Sequence, residues 1–214
     1  FSLSKKNNLF LTIKGKNHDG VKFIPAVLKK GISQIVSSKR VKRFENKIIK
    51  VSNEIKFLNY FAKEKRKLSK AKIFAITGSA GKTSLKNLLS KLLNKFGKTL
   101  SSYKSYNNHF GVPLSLSQLN IDHKYGIFEV GMSKLGEINT LTKLIRPHIG
   151  IITNIGEAHI ENFKNLRGIA DAKGEILNNI EKNGTLIFNR DDKYFNYLEK
   201  KAKSKNINLI SYGK

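Results

Sequence analysis

The chain has 214 residues, 39% of them hydrophobic and none of them cysteine. That is enough for a folded core, and it excludes disulfides, zinc-thiolate sites and iron–sulfur clusters. Lys and Arg number 41 against 15 Asp and Glu, a formal net charge of +26, but only six of the 41 are Arg and 22 Asn accompany the dispersed lysines, a pattern of solvated faces that favours anionic substrates over a specific nucleic-acid site.

No apolar run reaches the roughly 18–20 residues that span a bilayer, and the first residues carry no signal-peptide pattern. A cytoplasmic monomer without a transmembrane segment is expected. Phe1 is no initiator, so the chain is expected to begin inside a longer one.

In chain order, Leu9–Ile13 reads as a strand and 14–20 as a turn-rich loop. Phe23–Lys30 reads as a helix stopped by Gly31, and Ser33–Ser37 as a second strand. Residues 38–70 hold 12 Lys and Arg and three acids. Within them Val51–Phe61 has a helical period and joins the opening unit to the remainder of the chain.

From residue 71 strands alternate with helices, the pattern of a parallel α/β sheet. The expected strands are Ile73–Ile76, Tyr125–Val130, Ile149–Thr153, Thr185–Phe188 and Ile207–Ile210. The expected helices are Lys82–Phe96, Glu137–Ile145 and Asn165–Ile180. Leu85, Leu88, Leu89, Leu92, Leu93 and Phe96 form one apolar stripe on the first of these, with Gly97 after it.

The strand Ile73–Ile76 runs into Thr77-Gly78-Ser79-Ala80-Gly81-Lys82-Thr83-Ser84, where a helix begins. This is the setting of a phosphate-binding loop. Loop amides and the helix N-terminus face phosphate oxygens, Lys82 reaches the β- and γ-phosphates, and the Thr83 hydroxyl suits Mg2+. The general motif also wants Gly five positions before Gly81, where this chain has Ile76. Nucleotide binding is implied by this setting, whereas the reaction type is not.

Four further groups come after strands, or lie close after one. Glu129 ends a buried strand, where a carboxylate can hold Mg2+ beside the loop, or simply face water. His159 lies after Ile149–Thr153 and can be a ligand or structural. Lys173, inside a helix, is on composition an ordinary surface lysine. Asn189-Arg190-Asp191-Asp192 can read an adenine or ribose, or form a plain Asx turn.

The order of these segments is specific. It runs from Thr77–Ser84 through Asn107-Asn108-His109-Phe110-Gly111-Val112-Pro113, Glu129-Val130-Gly131 and Gly136-Glu137-Ile138. It continues through Thr153-Asn154-Ile155-Gly156-Glu157-Ala158-His159, Ala172-Lys173-Gly174-Glu175-Ile176 and Asn189–Asp192. This set resembles the Mur ligases, most of all the members that join D-alanyl-D-alanine to a UDP-N-acetylmuramoyl tripeptide. The resemblance covers residues 71–214, and Leu9–Gly31 resembles the family's N-terminal uridine-nucleotide domain.

The resemblance implies an α/β fold in two parts. Residues 1–70 would be part of a small α/β N-terminal substrate domain with its connector. Residues 71–214 would be a central ATP-binding domain, a P-loop parallel sheet flanked by helices. It implies an ATP- and Mg2+-dependent amide ligase acting through an acyl phosphate in peptidoglycan precursor synthesis. Gly78, Ser79, Ala80, Gly81, Lys82, Thr83 and Ser84 would bind ATP, with Asn189 and Asp192 near its adenine and ribose. Thr83 and Glu129 would hold one Mg2+. His159 and a carbamylated Lys173 would hold a second, and Lys82, His159 and Lys173 would serve catalysis. Asn107 and Asn108 would contact the muramoyl substrate.

The family's Ser-Arg near the start of the uridine domain falls about where Phe1-Ser2 stands, so that contact is expected to be missing or cut off. The family pattern also continues past Lys214 into the rest of the sheet and an amine-binding C-terminal domain, so the chain is expected to be a fragment that cannot complete catalysis alone. Three alternatives remain on the residues: a related amide ligase such as a folylpolyglutamate synthetase-like enzyme, a P-loop NTPase that binds nucleic acid, and a non-catalytic nucleotide-binding fragment. The Asn-Asn-x-x-Gly-Val-Pro run speaks against the first. The lack of clustered Arg with interleaved aromatics speaks against the second.

Overall fold

The computed structural model describes residues 8–15 and 18–214. Phe1-Ser2, and Lys16 and Asn17 of the expected turn-rich loop, lie outside the described residues. The chain divides between Tyr60 and Phe61 into two compact units.

The first unit carries strand β1 (Leu9–Leu11), helix α1 (Ile24–Lys29), β2 (Gln34–Ser37) and β3 (Ile48–Lys50). The three strands form a parallel sheet with β2 in the centre. Helix α1 is preceded by a 3-10 turn over Gly20–Phe23 whose start is capped by the Asp19 carboxylate. Gly31 comes after the helix at φ +85°, the left-handed stop expected of it. β3 has only three residues, too few for an alternation to be legible.

Helix α2 runs over Glu54–Leu68, later than the expected Val51–Phe61. Asn53 decides its start, because the Asn53 Oδ1 accepts the Lys56 amide at 2.9 Å.

In the second unit, β4 (Lys72–Thr77) leads into α3 (Lys82–Leu93), β5 (Thr99–Ser101) and α4 (Gly111–Leu116). Then come β6 (Tyr125–Glu129), α5 (Glu137–Ile145), β7 (Ile149–Ile152) and α6 (Leu166–Gly174). β8 (Thr185–Asn189), α7 (Phe195–Lys203) and β9 (Asn208–Tyr212) complete it. All six strands are parallel, in the order β5-β6-β4-β7-β8-β9. The chain starts in β4 and builds first toward β5 and β6, then away on the other side. The crevice at the carboxyl ends of β6, β4 and β7 is therefore the topological switch point where ligands gather.

Alternation along β4 divides the core. Ile73 and Ala75 join the larger cluster with residues of α4, α5, α6 and α7, while Phe74 and Ile76 face Ile127 and Ile151 on the other side. Leu85, Leu89 and Leu93 of α3 close that second face. The expected six-residue stripe is corrected here. Leu88, Leu92 and Phe96 are 57%, 46% and 67% exposed. Each sits three residues after a partly buried leucine, about 60° around the helix, outside the narrow row that meets the sheet. The α-helix also ends at Leu93 rather than Phe96, because the Lys95 and Phe96 amides tighten onto the carbonyls of Leu92 and Leu93, three residues back.

The expected helix over Asn165–Ile180 is α6 and then a 3-10 turn at Glu175–Asn178. Asn165 caps α6 by accepting the Gly168 amide at 3.1 Å. The Glu175 carboxylate accepts the amides of Gly136 and Asn139, capping α5. At the other end of α5 the buried Arg66 donates to the carbonyls of Ile145 and Arg146, both at 2.7 Å.

Candidate nucleotide and ligase site

The site grows from the carboxyl ends of four adjacent strands. Gly78 comes after β4, Glu129 ends β6, Thr153 comes after β7 and Asn189 ends β8. The parallel register puts Ile76 opposite Glu129 and Thr77 opposite Ile152, which brings the loops after these strands together.

The loop at 78–81 is braced from β7. Asn154 Oδ1 accepts the amides of Ser79 and Ala80 at 3.0 and 2.9 Å. Thr153 Oγ1 donates to the Ala80 carbonyl at 2.6 Å. Ser79 Oγ donates to the Gly156 carbonyl and accepts the Gly156 amide. Sequence reasoning assigned no role to Thr153 or Asn154. Their signals were position, immediately after a buried strand, and membership of the Thr153–His159 run.

Lys82 begins α3 and its Nζ donates to the Gly78 carbonyl at 2.7 Å. Burial lowers its pKa and the Glu129 charge opposes that shift. Ser84 is exposed in the first turn of α3.

Glu129 is 1% exposed and fully engaged. Its Oε2 accepts the Thr83 hydroxyl at 2.7 Å and its Oε1 accepts Asn107 Nδ2 at 2.7 Å. Lys86, one turn after Lys82, lies 3.8 Å from Oε2 and is likewise 1% exposed. Sequence reasoning passed over Lys86. Its spacing from Leu89 and Leu93, three and seven residues on, places a lysine on the apolar side of α3, and that was the available clue.

Asn108 Oδ1 accepts the amides of Phe110 and Gly111 and so starts α4. The Asn-Asn-x-x-Gly-Val-Pro run is thus a loop that turns into a buried helix. Asn107, Asn108, Gly78, Lys82, His159 and Lys173 line one cleft of about 800 Å3, together with the 131–137 loop and the start of α5. His159 reaches it from a left-handed backbone at φ +66° and is half-exposed.

Lys173 is 2% exposed in α6. Burial, and then the nearby Lys82 charge, lower its pKa to about 8. A buried lysine with a depressed pKa carries a partly neutral amine, a nucleophile rather than a fixed cation.

Asn189 and Asp192 sit at the end of β8. Asn189 Oδ1 accepts the Asp191 amide at 3.0 Å, and Asp192 accepts the amides of Ile155 and Tyr194. Asp192 thereby ties the β8 loop to the β7 loop, whereas the Asn189 side chain bonds within its own turn.

Among the described residues, no three His, Asp or Glu side chains gather as a metal-ion cluster. Mg2+ is held by one or two carboxylates, phosphate oxygens and water. The Thr83–Glu129 pair offers a hydroxyl and a carboxylate of this kind beside the phosphate loop.

Among the described residues no helix is long and apolar enough to cross a membrane. The profile of the Mur ligase middle domain matches residues 76–214. The chain is 41% identical over 206 residues to the UDP-N-acetylmuramoyl-tripeptide–D-alanyl-D-alanine ligase of Buchnera aphidicola, covering 96% of this chain and 45% of that protein. It is 40% identical to the ligase of the same name from Rickettsia prowazekii, covering 98% and 47%. MurF of Acinetobacter baumannii superposes with a TM-score of 0.84 at 31% identity, over 96% of this chain and 45% of that one. The chain therefore spans about half the length of the relatives it matches. With the phosphate loop after β4, its carboxylate partner at the end of β6 and the buried lysine on α6, and with that match over most of its length, the chain belongs to the Mur ligase family.

Proposed function

We propose that this chain is part of an ATP-dependent amide ligase that joins D-alanyl-D-alanine to a UDP-N-acetylmuramoyl tripeptide in cytoplasmic peptidoglycan precursor synthesis. The observation that carries the reading is the single cleft lined by the phosphate-loop lysine, the Asn107–Asn108 pair, His159 and the buried Lys173. Its relatives' names support the substrate assignment, and a Thermotoga maritima MurF structure described as a complex with ADP supports the nucleotide, at 27% identity and a TM-score of 0.81.

In this reading the γ-phosphoryl group passes from ATP to the terminal carboxylate of the tripeptide, ADP departs, the amine of D-alanyl-D-alanine attacks the acyl carbon and phosphate leaves. Lys82 and the loop amides face the charge that builds on the transferring phosphoryl group. Thr83 and Glu129 would hold Mg2+, with His159 and a carbamylated Lys173 at a second position. The bound cation supplies neutralisation of the phosphate oxygens. Asn107 and Asn108 orient the muramoyl substrate, and Asn189 and Asp192 shape the adenine and ribose end. The buried Lys173 amine, once carbamylated, turns a repelled cation into an oxygen ligand.

The test is phosphate release by the full-length protein. Release should require ATP, UDP-N-acetylmuramoyl tripeptide and D-alanyl-D-alanine together, and Lys82→Ala should abolish it. Release on folate plus glutamate, or on DNA, would assign the site to another chemistry.

A further inference from the structure

Lys86 is among the largest fully buried side chains of the molecule, and the proposed ligase chemistry makes no use of it. Its ammonium has two partners on different elements. It donates to the carbonyl of Lys104 in the loop between β5 and α4, and it faces the Glu129 carboxylate at the end of β6.

The Lys104 contact is set by backbone geometry. Lys104 has φ +46°, a left-handed conformation that side chains other than glycine adopt at a cost. The carbonyl that this turn carries is the one bonded to Lys86, so a charge-assisted hydrogen bond offsets the strain.

The same loop reaches Glu129 by a second route. Asn107 Nδ2 donates to Glu129 Oε1, and Ser102 Oγ accepts the Glu129 amide at 3.1 Å. The Asn107 carbonyl accepts the Gly131 amide at 2.8 Å. Glu129 in turn accepts the Thr83 hydroxyl from α3. Loop, strand end and phosphate-loop helix thus converge on one buried ion pair.

Packing alone does not call for a lysine here. An apolar side chain on the inner face of α3 fills the same space without a desolvated charge, and buried ion pairs often add little to stability against such a replacement. A charge kept at that position specifies geometry.

We propose that Lys86 is a positioning residue: its buried ammonium ties the 102–110 loop, through the Lys104 carbonyl, to Glu129 and the phosphate-loop helix, so that Asn107 and Asn108 are presented to the cleft in register with Lys82. The part of this that concerns the muramoyl substrate rests on the proposed ligase function. The part that concerns loop order does not.

Lys86→Met keeps an unbranched stem as far as Cε and removes the ammonium. Amide hydrogen exchange at Tyr106, Asn107 and Gly131 should accelerate about tenfold or more, with β4 amides unchanged. In the full-length protein the KM for UDP-N-acetylmuramoyl tripeptide should rise about tenfold, and the KM for ATP by less than about threefold. Wild-type exchange in this loop overturns the proposal. Faster exchange in a protein whose wild type does not use the muramoyl tripeptide leaves the positioning role standing and sinks the functional reading instead. If Lys86→Met does not fold, the pair K86M/E129Q decides, since it removes both charges. A folded pair with a loosened loop supports the proposal. A folded pair with a wild-type loop overturns it, because Lys86 then serves only to neutralise Glu129. A pair that also fails to fold overturns it too, because Lys86 is then a requirement of the fold itself.

Discussion

Gly78 lies so close to Thr153 that a methyl group on Gly78 would overlap the Thr153 hydroxyl and come within 3.0 Å of the Thr153 amide nitrogen. Gly78 also has φ +145°, a conformation that L side chains rarely adopt. The contact explains why the phosphate loop leaves β4 at a glycine: β7 passes directly behind it and supplies the Thr153 and Asn154 braces.

Gly78→Ala should therefore disrupt the loop, and Gly81→Ala should do so far less. Gly81 shares a positive φ, +78°, but a Cβ there meets nothing within 4 Å. We expect about 1–2 kcal/mol of strain at Gly81 and about 2–4 kcal/mol at Gly78, where overlap with backbone is added. Calorimetric ATP affinity and thermal unfolding of both variants check this. Adding Thr153→Ala to Gly78→Ala should recover only part of the loss, since the amide contact and the φ remain. Equal behaviour of the two glycine variants would refute the bracing.

Lys173 gives a prediction about carbon dioxide. With its pKa lowered to about 8, about a tenth of the side chain is neutral at pH 7, against far below 1% for an ordinary lysine near 10.4. The neutral amine is the form that adds CO2. Occupancy of a carbamate should thus rise with bicarbonate and from pH 7 to 8.5, read by carbon-13 NMR after labelling. Lys173→Ala in the full-length protein should lose most activity and regain part of it with acetate, whereas Lys173→Arg should not recover. A labelled sample with Mg2+ and nucleotide but no carbamate signal at Lys173 would remove the second metal position from the mechanism.

Two histidines outside the cleft predict the acid side of stability. His148 Nδ1 accepts the Ile73 amide and His123 Nδ1 accepts the Asn120 amide, each at 2.9 Å. Each imidazole must be neutral at Nδ1 to do so. Burial lowers both pKa values. Arg66, Lys72 and Arg146 add to the shift at His148 while Glu181 opposes it, and Lys98 and Lys65 add at His123 while Asp122 opposes it. The folded values lie below the unfolded 6.5. The unfolded state then binds more protons as pH falls through 6.5, so stability held above that pH is lost below it. Unfolding temperature should drop between pH 7 and 5. His148→Asn with His123→Asn, whose Oδ1 can accept the same amides, should flatten that slope. An unchanged slope would place the acid sensitivity elsewhere.

The strand–loop–helix from Ile73 to Leu93 was legible in the sequence because each part has a local cause. A buried parallel strand must be continuously apolar, a phosphate loop needs glycine where backbone turns left-handed, and α3 carries an apolar stripe, of which only Leu85, Leu89 and Leu93 meet the sheet. Helix α5 was equally legible at Glu137–Ile145 because Pro147 follows it, although the groups that cap it, Glu175 and Arg66, come from far along the chain. Strands of three residues such as β3 and β5 carry too little pattern, and α7 hides its buried pair Leu198 and Ala202 among lysines.

Strand order, and with it the company each side chain keeps, was decided only in three dimensions. Inserting β4 between β6 and β7 sets Thr153 behind Gly78 and Glu129 against Thr83 and Lys86. By itself, Lys173 is one lysine among many along the chain, and Lys86 another. Burial on α6 beside Lys82 gives the first a depressed pKa, and burial on α3 beside Glu129 gives the second a partner. A side chain's charge is written in the sequence, but its desolvation and its neighbours come from packing, and these determine what the charge can do.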